Sequence, residues 1–473
     1  MKFVRPAALC AALAALPHAA LAAPQTASEA DLKQLRDQLR ELRDSYRQRI
    51  DALERRLAEA EARSTSAAVT AAEANRAASV ATAAVARVEP APSRPTSENA
   101  FNPAVSLIVD SKFTRLQRDP STYRIDGFIP SGGEVGPPKK GFSLGESELA
   151  FSANVDHLFR GNARFALAED DGAGVVEVEE VNVETLGLSS GLKLKAGRFL
   201  SGVGYLNQQH PHEWDFADAP LAYKAFFGPR LQNDGVQLRW VAPTELFLEL
   251  GAEVAGGQKF PGAERNRNGA GLWTAFAHLG GDIGASSAWQ VGLSHVRTHP
   301  RERLFDDNDV SNAFAGRSQT WIADFIYKWA PGGNIRDTYF KLQGEYMWRR
   351  ESGELTYDVD NLSGASAVSA ARLRQSGGYL QAVYQFMPRW RVGVRGDWLR
   401  SGSVDLGALS SAELPILAGY DPRRQSAMVD WSPSEFSRLR LQVARDQSRH
   451  GEPDNQVWLQ YVMSLGAHGA HKF

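Results

Sequence analysis

Between residues 104 and 465, apolar residues fall on every second position of many short segments, and the connections joining those segments are alternately short and long. Leu246, Leu248, Leu250, Ala252 and Val254 share one parity, while Phe247, Glu249, Gly251 and Glu253 take the other. Successive strand residues point to opposite faces, so such a segment separates an apolar surrounding from a polar one. The same reading sets Leu149, Phe151, Ala153 and Val155 against Glu148, Ser152, Asn154 and Asp156. It also sets Val457, Leu459, Tyr461, Met463 and Leu465 against Gln460 and Ser464, with Trp458 and Val462 interrupting the second face. A soluble sandwich would alternate as well, so the connections decide. Short links such as Ala242-Pro243-Thr244, Met387-Pro388-Arg389 and Ser432-Pro433-Ser434 alternate with long ones, 117–143, 200–233, 299–318, 351–375 and 401–423. Short turns at one rim and long loops at the other define an all-β transmembrane barrel. Closure of the sheet satisfies every backbone group in lipid.

Strands are expected to begin near Ala104, Leu144, Asn162, Glu177, Leu192, Asp234, Glu245, Leu272, Ala288, Gln319, Thr338, Ser376, Arg391, Arg424, Phe436 and Asn455. That is about sixteen antiparallel strands, an even number that returns both ends of the chain to one side and predicts an aqueous channel. The last strand is expected to stop near Leu465. Trp240, Trp273, Trp289, Trp321, Trp329, Trp348, Trp390, Trp398 and Trp431 lie near the predicted strand ends, where interfacial girdles belong. A mean hydropathy of -0.34 and the lack of long apolar runs after the N-terminus exclude a helical membrane bundle.

The first 100 residues read differently. Residues 1–23 carry Lys2 and Arg5 ahead of an apolar stretch and end in Ala20-Leu21-Ala22, the pattern of a secretory signal. Cys10, the single cysteine, lies inside it, so the exported chain is expected to form no disulfide. In residues 29–63, Leu32, Leu35, Leu39, Leu42, Tyr46, Ile50, Leu53, Leu57 and Ala60 form a seam spaced by threes and fours, the mark of an α-helical coiled-coil arm that self-associates. Residues 64–100 are rich in Ala and Ser and contain Pro90, Pro92 and Pro95, a linker composition. Residues 101–473 form the barrel. The order of these parts places the barrel in a bacterial outer membrane and the arm in the periplasm.

The segment from Gly204 to Phe216, in the third outer loop, is the most unusual. It brings together His210, His212, Glu213 and Asp215, with Asp218 close behind. Imidazole beside carboxylate suits Zn²⁺ and similar divalent ions, so these four are candidate metal ligands. The other reading is a loop folded into the lumen that narrows the pore, with Lys224 and Arg230 as its basic residues. Along the strands, Lys193, Lys195, Arg239, Lys341, Arg395 and Arg440 should face the lumen opposite Glu148, Glu180, Glu184, Glu249 and Glu253. No nucleophile, base and orienting residue converge, so no enzymatic activity and no resident cofactor other than such a metal ion are expected. The formal net charge of -2 gives no basic footprint for nucleic acid.

From Phe101 to Phe473 the chain resembles the phosphate-selective porin O and P family. The likeness rests on the order of signal, arm, linker and barrel and on segments such as Gly197-Arg198-Phe199 and Asp234-Gly235-Val236-Gln237. The resemblance implies an outer-membrane porin: a homotrimer of sixteen-stranded barrels with the third outer loop folded inward. It would give passive diffusion to small solutes or ions, phosphate among the anions, along a path lined by basic residues. This loop departs from that pattern, with Glu213, Asp215 and Asp218 against two basic residues. A loop-gated channel or binder for divalent metal is the alternative.

Overall fold

The computed structural model describes residues 103–132, 135–170, 173–262 and 268–466. The expected signal, coiled-coil arm, linker and C-terminal Phe473 lie outside the described residues. Strand segments follow one another as β1 (Ala104–Leu116), β2 (Gly141–Leu144), β3 (Ser147–Asn154), β4 (Phe159–Asp170), β5 (Ala173–Thr185), β6 (Leu192–Leu200), β7 (Gln232–Val241), β8 (Phe247–Ala255) and β9 (Leu272–Ile283). They continue as β10 (Ser287–Thr298), β11 (Arg303–Asp307), β12 (Val310–Trp329), β13 (Tyr339–Tyr357), β14 (Ala367–Met387), β15 (Trp390–Asp405), β16 (Arg423–Ser434), β17 (Ser437–Gln447) and β18 (Asp454–Gly466). Neighbouring staves pair antiparallel, and β1 pairs with β18, for example Phe113 with Leu459, so the sheet closes. Because β2 and β3 both lie along β1, and β10 and β11 both lie along β12, the eighteen segments make sixteen staves. Closure removes the exposed edges that an open sheet would present.

Alternation along the staves aims apolar side chains outward. Leu250, Val254, Val291, Leu293, Leu380, Val394, Leu441, Val443, Val457 and Leu459 are all exposed on the outer wall. Trp240, Trp289, Trp329, Trp390 and Trp431 sit towards the rim of short turns, with Trp390 stacked on Trp431 at 6.0 Å. Trp273, Trp321, Trp348 and Trp398 form a second level, with Trp321 paired and stacked on Trp348 at 6.3 Å. Residues 321 and 329 are about 26 Å apart along a strand at roughly 3.3 Å per residue, or about 20 Å along a barrel axis tilted by about 40°. That is close to the height of an outer-membrane apolar band.

All sixteen expected starts fall within a few residues of a strand except two. Gln319 and Ser376 were placed nine residues late, because β12 begins at Val310 and β14 at Ala367. The long connections 299–318 and 351–375 are therefore mostly strand. Beyond the upper tryptophans the outward positions carry Arg317, Arg350, Glu354, Arg372 and Arg374, all exposed. Here the outward side chains are charged, and the apolar alternation seen lower on the staves disappears. Their inner faces are covered instead: Phe305, Phe314, Leu355 and Leu373 pack with Ile129, Leu414, Ile416 and Leu417 from the loops 117–140 and 406–422.

The lumen also departs from the expectation of an open aqueous channel. Residues 201–231 leave β6 and turn inward, carrying the short helix Leu221–Phe227, every residue of which is buried. Val203, Leu206, Trp214, Tyr223, Phe226 and Leu231 from this loop pack against inward-facing Phe276, Ile322, Met347, Tyr379 and Leu399 of the wall. Apolar residues on the inner face of a sixteen-stave barrel would be wet without this loop, and its seating covers them.

Candidate functional site

The loop is held at many points around the wall. Glu253 accepts hydrogen bonds from Gly202 N at 2.7 Å and Ser201 Oγ at 2.5 Å. Glu345 accepts from Leu206 N at 2.9 Å, Tyr223 OH at 2.8 Å and Tyr379 OH at 2.7 Å. Further on, Ala217 N donates to Gln442, Leu221 N to Asp397, and Arg440 donates to Trp214 O. Buried loop backbone needs such partners, since an unpaired amide in a dry interior costs about 1–3 kcal/mol.

The charged groups of the lumen separate into two arcs. On the side of β13 to β17 stand Lys341, Arg391, Arg395, Arg424, Arg438 and Arg440, and two loop aspartates enter this basic arc. Asp215 pairs with Lys341 and with Arg391 at 3.2 Å, and Gln381 donates to it at 2.9 Å. Asp218 meets Arg424 at 2.5 Å, Arg395 at 3.2 Å and Lys224 at 3.2 Å, and accepts from Gln442 at 3.0 Å. Burial alone would raise both carboxyl pKa values. The surrounding cations outweigh it and hold both far below the usual carboxylate range. Burial pushes Lys224 down, against the pull of Asp218.

The opposite arc, on β3 to β8, is acidic. His210 lies there, 3% exposed. Its Nε2 is 2.9 Å from Glu180 Oε1, while its Nδ1 is 2.9 Å from Glu148 Oε2 and 3.3 Å from Glu179 Oε2. Burial would lower the imidazole pKa, but the three carboxylates together raise it well above the usual value. His212 stacks beside His210, with ring centroids 5.8 Å apart, and its Nδ1 is 3.7 Å from the same Glu148 oxygen. Glu148 and Glu179 each spend their other oxygen on an arginine, Arg164 at 2.8 Å and Arg230 at 2.5 Å. Arg230 also reaches Glu146.

The ligand set read from the sequence is only partly assembled. His210 and His212 do come together. Glu213 instead turns Oε2 back to the His210 backbone N–H at 3.1 Å, closing the turn 211–213. Asp215 belongs to the basic arc. The carboxylates around the His210 ring come from the wall, and Glu179 was missed because strict alternation sends 179 and 180 to opposite faces. A β-bulge cancels that: Arg164 pairs with Glu180 and Phe165 with Val178, so Glu179 is the extra residue and both acids face inward. The adjacent acids Glu179-Glu180 were the only sequence signal.

Of the residues expected to face the lumen, Arg440 is fully buried among Gln460, Trp214 and Asp430. Arg239 bonds Gln208 at 2.7 Å and pairs with Glu249 at 3.4 Å, and Glu249 also meets His278 at 3.1 Å. Lys195 lies near Glu180, while Lys193 pairs with Glu184 at 3.4 Å with its side chain half exposed.

No family model matches the chain. Among solved structures, the outer membrane channel DcaP of Acinetobacter baumannii is similar with a TM-score of 0.48 at 11% identity, over 79% of this chain and 100% of that one. OprB of Pseudomonas putida gives 0.47 at 12%, over 77% and 94%. These likenesses concern the path of the backbone alone. An uncharacterized protein of Aquifex aeolicus strain VF5 is 31% identical over 408 residues, spanning 80% of this chain and 81% of that one. Identity at that level over four-fifths of both sequences makes this chain a member of the same family as the Aquifex aeolicus protein.

Proposed function

We propose that the chain is an outer-membrane channel for small anions, phosphate among them, whose passage is governed by the loop 201–231. The apolar outer wall between two tryptophan levels fits a bilayer. The observation that carries the solute class is the seating of Asp215 and Asp218 in the arginine arc, where each loop carboxylate stands where a passing anion would. Arginines arranged around an oxyanion bind carboxylate and phosphate by the same paired hydrogen bonds. With the loop displaced, Arg391, Arg395 and Arg424 would face water with part of their countercharge removed, and the lumen would favour anions. The coiled-coil seam expected in residues 29–63 supports a homotrimer, with the arm on the periplasmic side.

The test uses the pairing of Leu200 with Gln232, which brings the ends of the loop together on adjacent staves. Replacing residues 203–228 by a short glycine-serine bridge should leave a folded barrel. In planar bilayers it should raise conductance and move the reversal potential in a KCl gradient towards that of chloride, with phosphate competing for passage. A cation-selective or non-conducting barrel would overturn the reading.

A further inference from the structure

We infer that Glu148, Glu179 and His210 form a binding site for a divalent transition-metal ion of the zinc type, fastening the loop to the barrel wall. One ligand atom from each of the three residues lies within 4.8 Å of the other two, all three residues are buried, and His210 Nδ1 is 2.9 Å from Glu148 Oε2 and 3.3 Å from Glu179 Oε2. This site does not depend on the channel reading, since it needs only the seated loop.

Three features of the geometry argue for an ion rather than a plain acidic cluster. Among the described residues neither His210 Nδ1 nor Glu179 Oε2 has a well-aligned hydrogen-bond partner, although they approach to 3.3 Å and both are buried. With Nε2 bonded to Glu180, the neutral tautomer directs its Nδ1 lone pair at two carboxylate oxygens. That arrangement is repulsive unless a proton on Nδ1 or a metal ion among the three atoms supplies positive charge, and a buried cluster of this kind exchanges one for the other on metal binding. The spacing also suits one: zinc bonds of about 2.0–2.2 Å in a tetrahedron put ligand atoms roughly 3.4 Å apart, so 2.9 and 3.3 Å need an expansion of only a few tenths of an ångström.

The surroundings complete the pattern. Buried metal sites orient their ligands through outer partners, a carboxylate behind the histidine and donors behind the acids. Here Glu180 stands behind the far nitrogen of His210, Arg164 holds Glu148 Oε1 and Arg230 holds Glu179 Oε1, so the oxygen of each acid facing Nδ1 is the one no arginine takes. One imidazole and two carboxylates favour zinc, manganese or cobalt over calcium, which asks for six to eight oxygens. His212 is the nearest further imidazole for a fourth position. Two ligands come from the wall and one from the loop, so the ion would join elements that the backbone leaves separate.

The experiment uses the full chain in detergent after chelator treatment, with His468 and His471 changed to alanine throughout so that the tail adds no sites. Calorimetry with Zn²⁺ at neutral pH should give one ion per chain, and Co²⁺ should give the visible bands of a low-symmetry N/O site. Glu179→Gln and His210→Gln should each weaken zinc at least 100-fold. Glu180→Gln, which meets the ring at Nε2 and not at the ligating nitrogen, should weaken it about 10- to 100-fold. His450→Gln, in the connection after β17 and outside the acidic arc, should bind as the parent does, which separates loss of this ligand from loss of a histidine elsewhere. Absence of stoichiometric zinc in the parent, or binding that survives both Glu179→Gln and His210→Gln, would overturn the site.

Discussion

Replacing Asp218 with asparagine should free the loop from the basic arc while preserving its shape. The side chain keeps its size and one acceptor oxygen, so the change is one of charge. In the native lumen that carboxylate answers three cations. Two retain another partner: Arg395 keeps Asp397 at 3.0 Å and Arg424 keeps Asp446 at 3.3 Å. Lys224, 3% exposed, loses the one carboxylate among the described residues with which it forms an ion pair. Breaking a buried ion pair from one side costs about 3–5 kcal/mol, and with two cations still compensated the lower figure applies, about 3 kcal/mol. At roughly 1.4 kcal/mol per factor of ten, the equilibrium for unseating the loop should shift about 100-fold. Amide hydrogen exchange in a folded, detergent-solubilised barrel reads that equilibrium directly. Peptides covering 214–227 should lose about two orders of magnitude of protection while those from β15 and β17 stay unchanged. A fall of less than about threefold in the loop, with the wall intact, would refute the argument that charge seats it.

Three further outcomes follow from other parts of the molecule. Val394, 60% exposed, lies midway between Trp390 and Trp398 on one stave, so Val394→Arg should destabilise the protein in lipid vesicles by about 2–4 kcal/mol in a urea titration; a cost under about 1 kcal/mol would show that this face is not in hydrocarbon. A methyl group at Gly251 would stand 2.0 Å from the Phe276 ring, so Gly251→Ala should cost about 1–3 kcal/mol, and the penalty should vanish in a Phe276→Ala background; a penalty of equal size in both backgrounds would exclude the clash. Because the folded pKa values of Asp215 and Asp218 are depressed, their contribution to seating is complete above the unfolded value near 4 and is lost only as pH falls through the much lower folded values. The loss of loop protection caused by Asp218→Asn should therefore be the same at pH 7 and pH 5, and a loss that disappears by pH 5 would contradict the ion-pair geometry.

Most of the barrel was legible because an apolar outer wall around a polar lumen is a demand the sequence must state residue by residue. Where a stave has hydrocarbon outside and polar groups inside, as from Leu246 to Val254, parity and boundaries could be read. The legibility ends where the demand ends. Above Trp321 and Trp348 the outer face meets water, and Arg350 and Arg372 carry no period to mark β13 and β14. The loop was recognisable from His210, His212 and its acids, but its partners were not. Asp215 and Asp218 find Arg391, Arg395 and Arg424 some 170 to 210 positions away in the chain, and no local pattern encodes such a meeting. Trp458 and Val462, which break their stave's alternation, are buried inside the barrel, so a departure from pattern marked inner packing rather than a misread strand.

The extra residue on β5 also bears on how members of this family can differ in length. Along a regularly paired stretch of stave, losing one residue turns every later side chain to the opposite face, exchanging outer-wall contacts for lumen contacts down to the next turn. Position 179 is an exception, since the partner stave already runs past it without a counterpart. A relative lacking that residue would keep the facing of every other side chain on the stave and surrender one carboxylate. Wall and chemistry are separable there by a single codon, which makes the presence or absence of Glu179 across relatives a natural experiment on what the acidic arc is for.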